Sequence, residues 1–259
     1  MIEPLYPRER ASWLLRLRVA LLPRTARHRG QILPPSHLRF CGRELASHEN
    51  FLSSGENDVD RLVEHCGLSL ESRVLDIGCG TGRLPIGLLS RLGGLQQYVG
   101  IDVNGPAIQW CRRFIEARHE GFTFQWVDVV NERYNPEGGA LDESFRLPFE
   151  DGSFDVVFLY AIFPHLVTTE VEIYLREIRR VLDQKGWVVA TSFVEDGVPP
   201  MTVNPEDYKR PWSGPVNCIR YERTFFDSLI ERAGLQVERF DFAEGMDGQS
   251  YYWMRVRHS

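Results

Sequence analysis

Residues 73–87, RVLDIGCGTGRLPIG, confine the fold more than any other stretch of the chain. A short apolar run containing Asp76 is bounded by glycine and reads as a buried strand. Gly78, Gly80 and Gly82 then alternate, and Leu84, Leu88, Leu89 and Leu92 recur on one face of a helix that Gly93-Gly94 stops. Strand, glycine turn and helix in that order open a parallel α/β unit, and the turn lets a ligand approach the backbone closely. The details exclude one nucleotide site and depart from the pattern of a second. A P-loop ends in Gly-Lys-Ser/Thr, whereas Gly82 is followed by Arg83 and Leu84. A dinucleotide fingerprint is GxGxxG, whereas this loop is GxGxG with Arg83 at the third glycine's place.

Asp76 at the mouth of the loop narrows the ligand. A carboxylate facing a pyrophosphate in a partly desolvated cleft is repelled, whereas an ammonium or a sulfonium is attracted. S-adenosylmethionine carries both. Asp102 ends the next strand, YVGID, where a carboxylate accepts from the two hydroxyls of a ribose, a feature that NAD shares. Asp128 ends the third strand, FTFQWVD, placed to accept from the exocyclic amine of an adenine held between apolar groups. A single strand-end aspartate is equally a turn or helix cap. Three at consecutive strand ends around one glycine loop are not accounted for by capping.

The rest of the chain repeats the unit. Asn104 and Pro106 start a helix whose inner face carries Ile108, Cys111 and Ile115. FDVVFLY (154–160) is a continuous apolar run, as expected of a central strand buried on both faces. A helix over 169–182, a strand over 187–193, a helix over 223–233 and two strands, LQVERFDF and SYYWMRV, complete the alternation. The fold class is therefore α/β, a mostly parallel sheet with helices on both faces. Two long stretches, 129–148 and 195–220, read as irregular, and both leave the strands' carboxyl edge, where ligands of open α/β sheets bind. They are candidate substrate walls. The division expected is an N-terminal helical or lid extension over 1–68 and a main domain over 69–259.

At 259 residues the chain suits one decorated α/β domain, and its net charge of -6 argues against a general nucleic-acid binder. Five scattered cysteines without ligand spacing read as reduced thiols, which points to a cytoplasmic protein without a zinc framework. The N-terminus is the exception in charge: Arg8, Arg10, Arg16, Arg18, Arg24, Arg27 and Arg29 face the single acid Glu9 over residues 8–29. Its apolar stretch is too short and too charged to span a bilayer. Two readings stay open, a basic amphipathic helix on an anionic membrane or over the site, and a helix packed on the domain or on a dimer partner.

Taken together, VLDIGCGTG, GIDVN, WVDVVN, LPFEDGSFDVVFLYAIFPHL and REIRRVLDQKGWVVATSF resemble the successive motifs of the class I S-adenosylmethionine-dependent methyltransferases over roughly residues 70–193. DVVNERYNPEG followed by FPHL resembles the small-molecule type of that family. The resemblance implies a Rossmann-like, seven-stranded mixed sheet in the order 3-2-1-4-5-7-6, strand 7 antiparallel. It implies cofactor contacts at Asp76, Gly78, Cys79, Gly80, Gly82, Asp102, Val103, Asp128 and Val129. DQKGW stands where the family often has Pro-Gly-Gly, so the turn before the fifth strand is expected to differ.

Methyl transfer is an in-line displacement, and alignment in a water-poor pocket supplies much of its rate. A hydroxyl acceptor also benefits from a base, and His165 just past the fourth strand is the candidate, although a helix-capping role fits it too. Tyr160, at the end of that strand, is a candidate for positioning the acceptor or a core aromatic. Tyr208 and Trp212, inside the proline-rich stretch, are candidate substrate contacts, whereas Trp126, Phe163 and Tyr221 fit a pocket or the core. LPPSHLRF (33–40) is expected to pack as a lid, with His37 and Arg39 facing the cofactor. No metal site is legible. The acceptor expected is a small molecule methylated at a hydroxyl oxygen. N- or protein methylation and a non-catalytic cofactor-binding scaffold are the rivals, in a monomer or homodimer.

Overall fold

The computed structural model describes residues 24–39, 42–206, 208, 214, 216–245 and 247–257. The chain enters through an antiparallel hairpin, β1 (Ala26–His28) and β2 (Gln31–Leu33), followed by 3-10 turns at Ser36–Leu38 and Arg43–Ala46 and helix α1 (His48–Cys66). The basic-helix reading of residues 8–29 falls mainly outside the described residues, and its end, Ala26–His28, is a strand rather than a helix. The Ser47 side chain caps α1 by accepting from the Asn50 amide, and Gly67 closes it in the left-handed conformation.

The alternating pattern then runs as β3 (Arg73–Ile77), α2 (Arg83–Leu92), β4 (Gln97–Asp102), α3 (Gly105–Phe114), β5 (Phe122–Trp126), β6 (Phe154–Leu159), α4 (Thr168–Val181) and β7 (Leu182–Glu195). It ends with β8 (Met201–Val203), β9 (Ile219–Glu222), α5 (Arg223–Arg232), β10 (Leu235–Asp241) and β11 (Ser250–Val256). The main sheet is ordered β10-β11-β7-β6-β3-β4-β5, parallel except at β11, which is antiparallel to β10 and β7. Numbering its seven long strands along the chain gives 3-2-1-4-5-7-6, the order that the motifs imply.

Both faces of the sheet are buried, which is why its central strands carry consecutive apolar residues rather than alternating ones. In β6, Val157 joins the core shared with α4 and α5, while Val156 and Phe158 join the core shared with α1, α2 and α3. Helix α1 belongs to that second core through Leu52, Val59 and Leu62, so this part of the expected N-terminal extension packs as part of the same body. Its crossing with α2 is made by two glycines: a Cβ on Gly87 would stand 2.4 Å from the Gly55 carbonyl carbon, and one on Gly55 would stand 2.3 Å from the Arg83 carbonyl oxygen.

Two expectations need correction. The strand expected at 187–193 starts at Leu182, pauses over residues 183–186 where the ladder to β6 shifts register, and continues to Glu195. DQKG is thus a bulge inside a strand, not a turn before one. Residues 195–220 are not wholly irregular either, because β9 pairs in parallel with Phe193–Glu195 and β8 pairs antiparallel with β9. The reason is that β7 outruns both neighbours, whose pairing stops at Ala190 and Ser192, and its bare edge takes up the returning chain.

Candidate functional site

The carboxyl ends of β3 and β4 carry the glycine loop. The amides of Gly78 and Cys79 donate to the Ile101 carbonyl at 2.8 and 3.1 Å, so the end of β4 holds the loop from below. Gly78 lies at φ 80° and Gly80 at φ 52°, both in the left-handed region that favours glycine. Their surroundings differ. A Cβ on Gly78 would meet the Ile162 side chain at 2.0 Å, whereas nothing lies within 4 Å of one on Gly80. The loop is therefore packed at its first glycine and open at its second. Gly82, at φ 84°, precedes α2 with Ile115 against it.

Beside the loop lies a cleft lined by Asp76, Gly78, Gly80, Arg83, Tyr160 and Phe51 among others. Asp76 is 3% exposed and accepts from the Tyr98 hydroxyl at 2.6 Å. Burial pushes its carboxyl up to about 7, against the opposing pull of the Tyr98 hydrogen bond and the Arg83 charge. Asp102 accepts from the Gly80 amide at 2.7 Å through one oxygen and from the Asn104 amide at 2.7 Å through the other. Burial pushes its carboxyl up as well, and those backbone donors hold it down. The same aspartate thus ties the open glycine to the start of α3.

Past β5, the exposed Asp128 accepts from the Asn135 amide at 3.0 Å, and that amide also donates to the Val129 carbonyl at 3.0 Å. The YNPEGG turn folds back on the chain through a Val129–Gly139 bridge, with Gly138 at a backbone approach that excludes any side chain. The half-exposed Trp126 indole donates to the Val103 carbonyl at 2.9 Å and stands beside the end of β4.

The end of β6 forms the facing wall. Ala161, at φ 57°, is a non-glycine residue in the left-handed region, held there by its amide donating to Thr191 Oγ1 at 2.8 Å. That turn places Tyr160 in the cleft and Ile162 over Gly78. His165 ends the following 3-10 turn, faces the backbone of Val216 and Asn217, and is absent from the cleft lining. Burial and the neighbouring Arg133 push its pKa down, so its imidazole is neutral at neutral pH.

Tyr208, one of the substrate contacts expected from the proline-rich stretch, is not brought to this cleft. Tyr208 is buried in a small cluster with Phe193 and Cys218, 5.4 Å from the Phe193 ring and beneath the Arg220 guanidinium. Trp212 lies outside the described residues. Phe163 and Tyr221 are core residues, with the Tyr221 hydroxyl donating to the Leu166 carbonyl at 2.6 Å. The lid expectation for 33–40 is half met. The Leu38 carbonyl accepts from Thr81 of the glycine loop at 3.3 Å, but Arg39 is turned away and donates to the carbonyls of Pro34, Leu45, Ala46 and Ser47. Five carbonyl contacts satisfy a guanidinium that joins the two 3-10 turns.

Sequence reasoning missed one group. Arg83 donates to the Ser54 carbonyl at 3.1 Å and to Asp58 of α1, and its guanidinium lies 4.2 Å over the Tyr160 ring. The other Asp58 oxygen accepts from the Tyr251 hydroxyl at 2.8 Å. Arg83 served only to exclude a P-loop, and Asp58 lies in an ordinary amphipathic helix; no motif joins them. Among the described residues no group of three or more His, Cys, Asp or Glu side chains is placed to hold a metal ion, and no helix is long and apolar enough to cross a membrane.

Residues 75–190 match the methyltransferase domain family. The chain is 27% identical over 136 residues to a 2-phytyl-1,4-naphtoquinone methyltransferase of Trichormus variabilis, covering 51% of this chain and 52% of that protein. It is 29% identical over 175 residues to a fatty-acid O-methyltransferase of Mycolicibacterium smegmatis, covering 68% and 50%. The chain therefore spans about half the length of these curated relatives. In fold it is similar to an S-adenosylmethionine-dependent methyltransferase of Methanosarcina mazei, with a TM-score of 0.53 at 19% identity over 76% of this chain and 98% of that one.

Proposed function

We propose that the chain, whose residues 75–190 match the methyltransferase domain family, is a class I S-adenosylmethionine-dependent methyltransferase that methylates a small molecule at a hydroxyl oxygen. The observation that carries the cofactor half of this reading is Asp76, a buried carboxyl beside an open glycine, with the lone cation of its cleft lining already paired. Such a group is stabilised by a cationic ligand and destabilised by an anionic one. When bound, S-adenosylmethionine supplies an electrophilic methyl group on a positively charged sulfur.

The protein's own residues supply position and charge. Gly80 leaves room at the loop, and Asp76 faces the positive portion of the cofactor. Asp102 exchanges part of its loop bonding for the ribose hydroxyls, while Val103, Trp126, Asp128 and Val129 border the place of the base. Cys79 and Gly82 shape the loop rather than contact a ligand through polar side-chain atoms. Tyr160 orients the acceptor from the opposite wall, and Phe51 with Leu45 keeps water from that side. His165, neutral at neutral pH and in the turn just beyond the cleft wall, is the proton acceptor for the hydroxyl through an intervening water. The relatives' own names, a naphthoquinone and a fatty-acid methyltransferase, support an acceptor with a large apolar part.

The test is a transfer assay with methyl-labelled S-adenosylmethionine, an extract of the source cells fractionated into polar metabolites, lipids and proteins, and a panel of quinols, phenols and fatty acids. Label in an alkali-stable ether of a quinol or phenol, or in an alkali-labile methyl ester of a fatty acid, is the expected result. Label confined to amines or to the protein fraction contradicts the oxygen assignment. Bound cofactor without transfer to any fraction contradicts the enzymatic one.

A further inference from the structure

We infer that Asp58, on α1 of the N-terminal extension, sets the net charge of the cleft and so decides how strongly a cationic cofactor is preferred over its neutral product. The inference rests on the reading of the cleft as an S-adenosylmethionine site and deepens it.

Arg83 begins α2 immediately after the loop and lines the same cleft as Asp76, Gly80 and Tyr160. An unpaired guanidinium there would be drawn to Asp76 and would repel a sulfonium from the place the acid makes for it. The structure turns it the other way. Its Nη1 donates to the Ser54 carbonyl at 3.1 Å and to Asp58 Oδ2, both on α1, and its planar group is stacked 4.2 Å from Tyr160. Asp58 is 3% exposed, and its second oxygen accepts from Tyr251 at 2.8 Å, so a helix outside the main sheet and the last strand of the chain converge on one carboxylate.

Packing alone does not call for this arrangement. A buried ion pair gives back in attraction much of what its desolvation costs, and well-packed apolar side chains of similar volume often serve stability as well. What an apolar pair cannot supply is an acid that cancels an arginine at the wall of a cation site. The other ionisable groups facing Asp76 are Tyr98, which donates to it, and Asp102, whose charge adds to its own. Arg83 favours the ionised form of Asp76 and Asp58 opposes it, so both charges are felt at that carboxyl. Removing the Asp58 charge leaves the cleft one unit more positive.

S-adenosylmethionine and S-adenosylhomocysteine differ by a methyl group and by the charge on sulfur, so the ratio of their affinities reports the field of the cleft, while damage to packing lowers both alike. The experiment titrates each ligand by calorimetry into the full chain, the Asp58→Asn and Arg83→Gln variants and the double variant. Asp58→Asn is expected to weaken S-adenosylmethionine roughly tenfold more than S-adenosylhomocysteine, the order of one charge acting across a partly screened cleft. Arg83→Gln is expected to shift the ratio the opposite way, and the double variant to return it towards the wild-type value. Equal weakening of both ligands by Asp58→Asn, or a ratio unmoved by Arg83→Gln, overturns the inference. If Asp58→Asn fails to fold, the direction of the Arg83→Gln shift decides. Failure of the wild-type chain to bind either ligand overturns the cofactor reading itself and is distinguished by that.

Discussion

The two walls of the cleft are built by different means. The wall at the ends of β3 and β4 is made of backbone and charge: glycines at positive φ, amides bonded to Ile101 and Asp102, and a buried carboxyl at Asp76. The wall at the end of β6 is made of side chains in packing contact, Tyr160 under Arg83 and Ile162 over Gly78, with His165 behind it against the 216–217 backbone. Backbone geometry of the first kind tolerates few residue types, so it leaves a recognisable string in the sequence. Packing of the second kind admits many solutions, so the acceptor it selects is encoded in shape rather than in motif.

If the walls divide the work, substitutions should separate it. His165→Ala is expected to lower turnover on a hydroxyl acceptor by roughly 100-fold, within the range of general-base catalysis, while leaving S-adenosylhomocysteine affinity unchanged. Steady-state kinetics with parallel calorimetry reads both, and unchanged turnover removes His165 from the chemistry. Gly78→Ala strikes the seam between the walls, since its Cβ would fall 2.0 Å from the Ile162 side chain at a φ of 80°. Overpacking and left-handed strain together should cost about 3 kcal/mol of stability, read from denaturant titration. Gly78→Ala combined with Ile162→Ala should recover most of the overpacking part, and a failure to recover would show that the two walls are not in contact.

The buried acid of the first wall also sets a pH dependence that the second wall lacks. The carboxyl of Asp76 is pushed from 3.8 up to about 7, so between those values the unfolded chain has lost a proton that the free folded protein keeps. Stability of the unliganded protein should therefore fall as pH rises through that window and stay level above it. Affinity for a cationic cofactor runs the other way, rising by up to about tenfold per pH unit below 7 and levelling above it. Calorimetry from acidic to alkaline pH checks the sign, and an affinity that falls with rising pH would exclude Asp76 as the group facing the cation.

Much of the first wall was legible in the sequence. The alternating glycines, Asp76 and Asp102 identify the loop because each obeys a local constraint that only a few residues meet. Alternating strands and helices gave a mostly parallel sheet, and its order came from the resemblance to the class I methyltransferases. The rest depended on contacts between residues far apart in the chain, such as Asp58 with Arg83 and Tyr251, or Thr191 with Ala161 and Gln249. Tyr208 shows the opposite failure. An aromatic residue in a proline-rich stretch suggested a pocket wall, but the overrun of β7 drew that stretch into the sheet and buried the ring against Phe193.

The most direct test of the central claim is calorimetric titration of the full chain with S-adenosylhomocysteine and with NAD, repeated on Asp102→Ala. The expected result is one-to-one binding of S-adenosylhomocysteine, no binding of NAD, and a loss of about 1.5–3 kcal/mol in the variant, the range for hydrogen bonds to a charged group. Binding of NAD in its place, or an S-adenosylhomocysteine affinity that Asp102→Ala leaves unaltered, would contradict it.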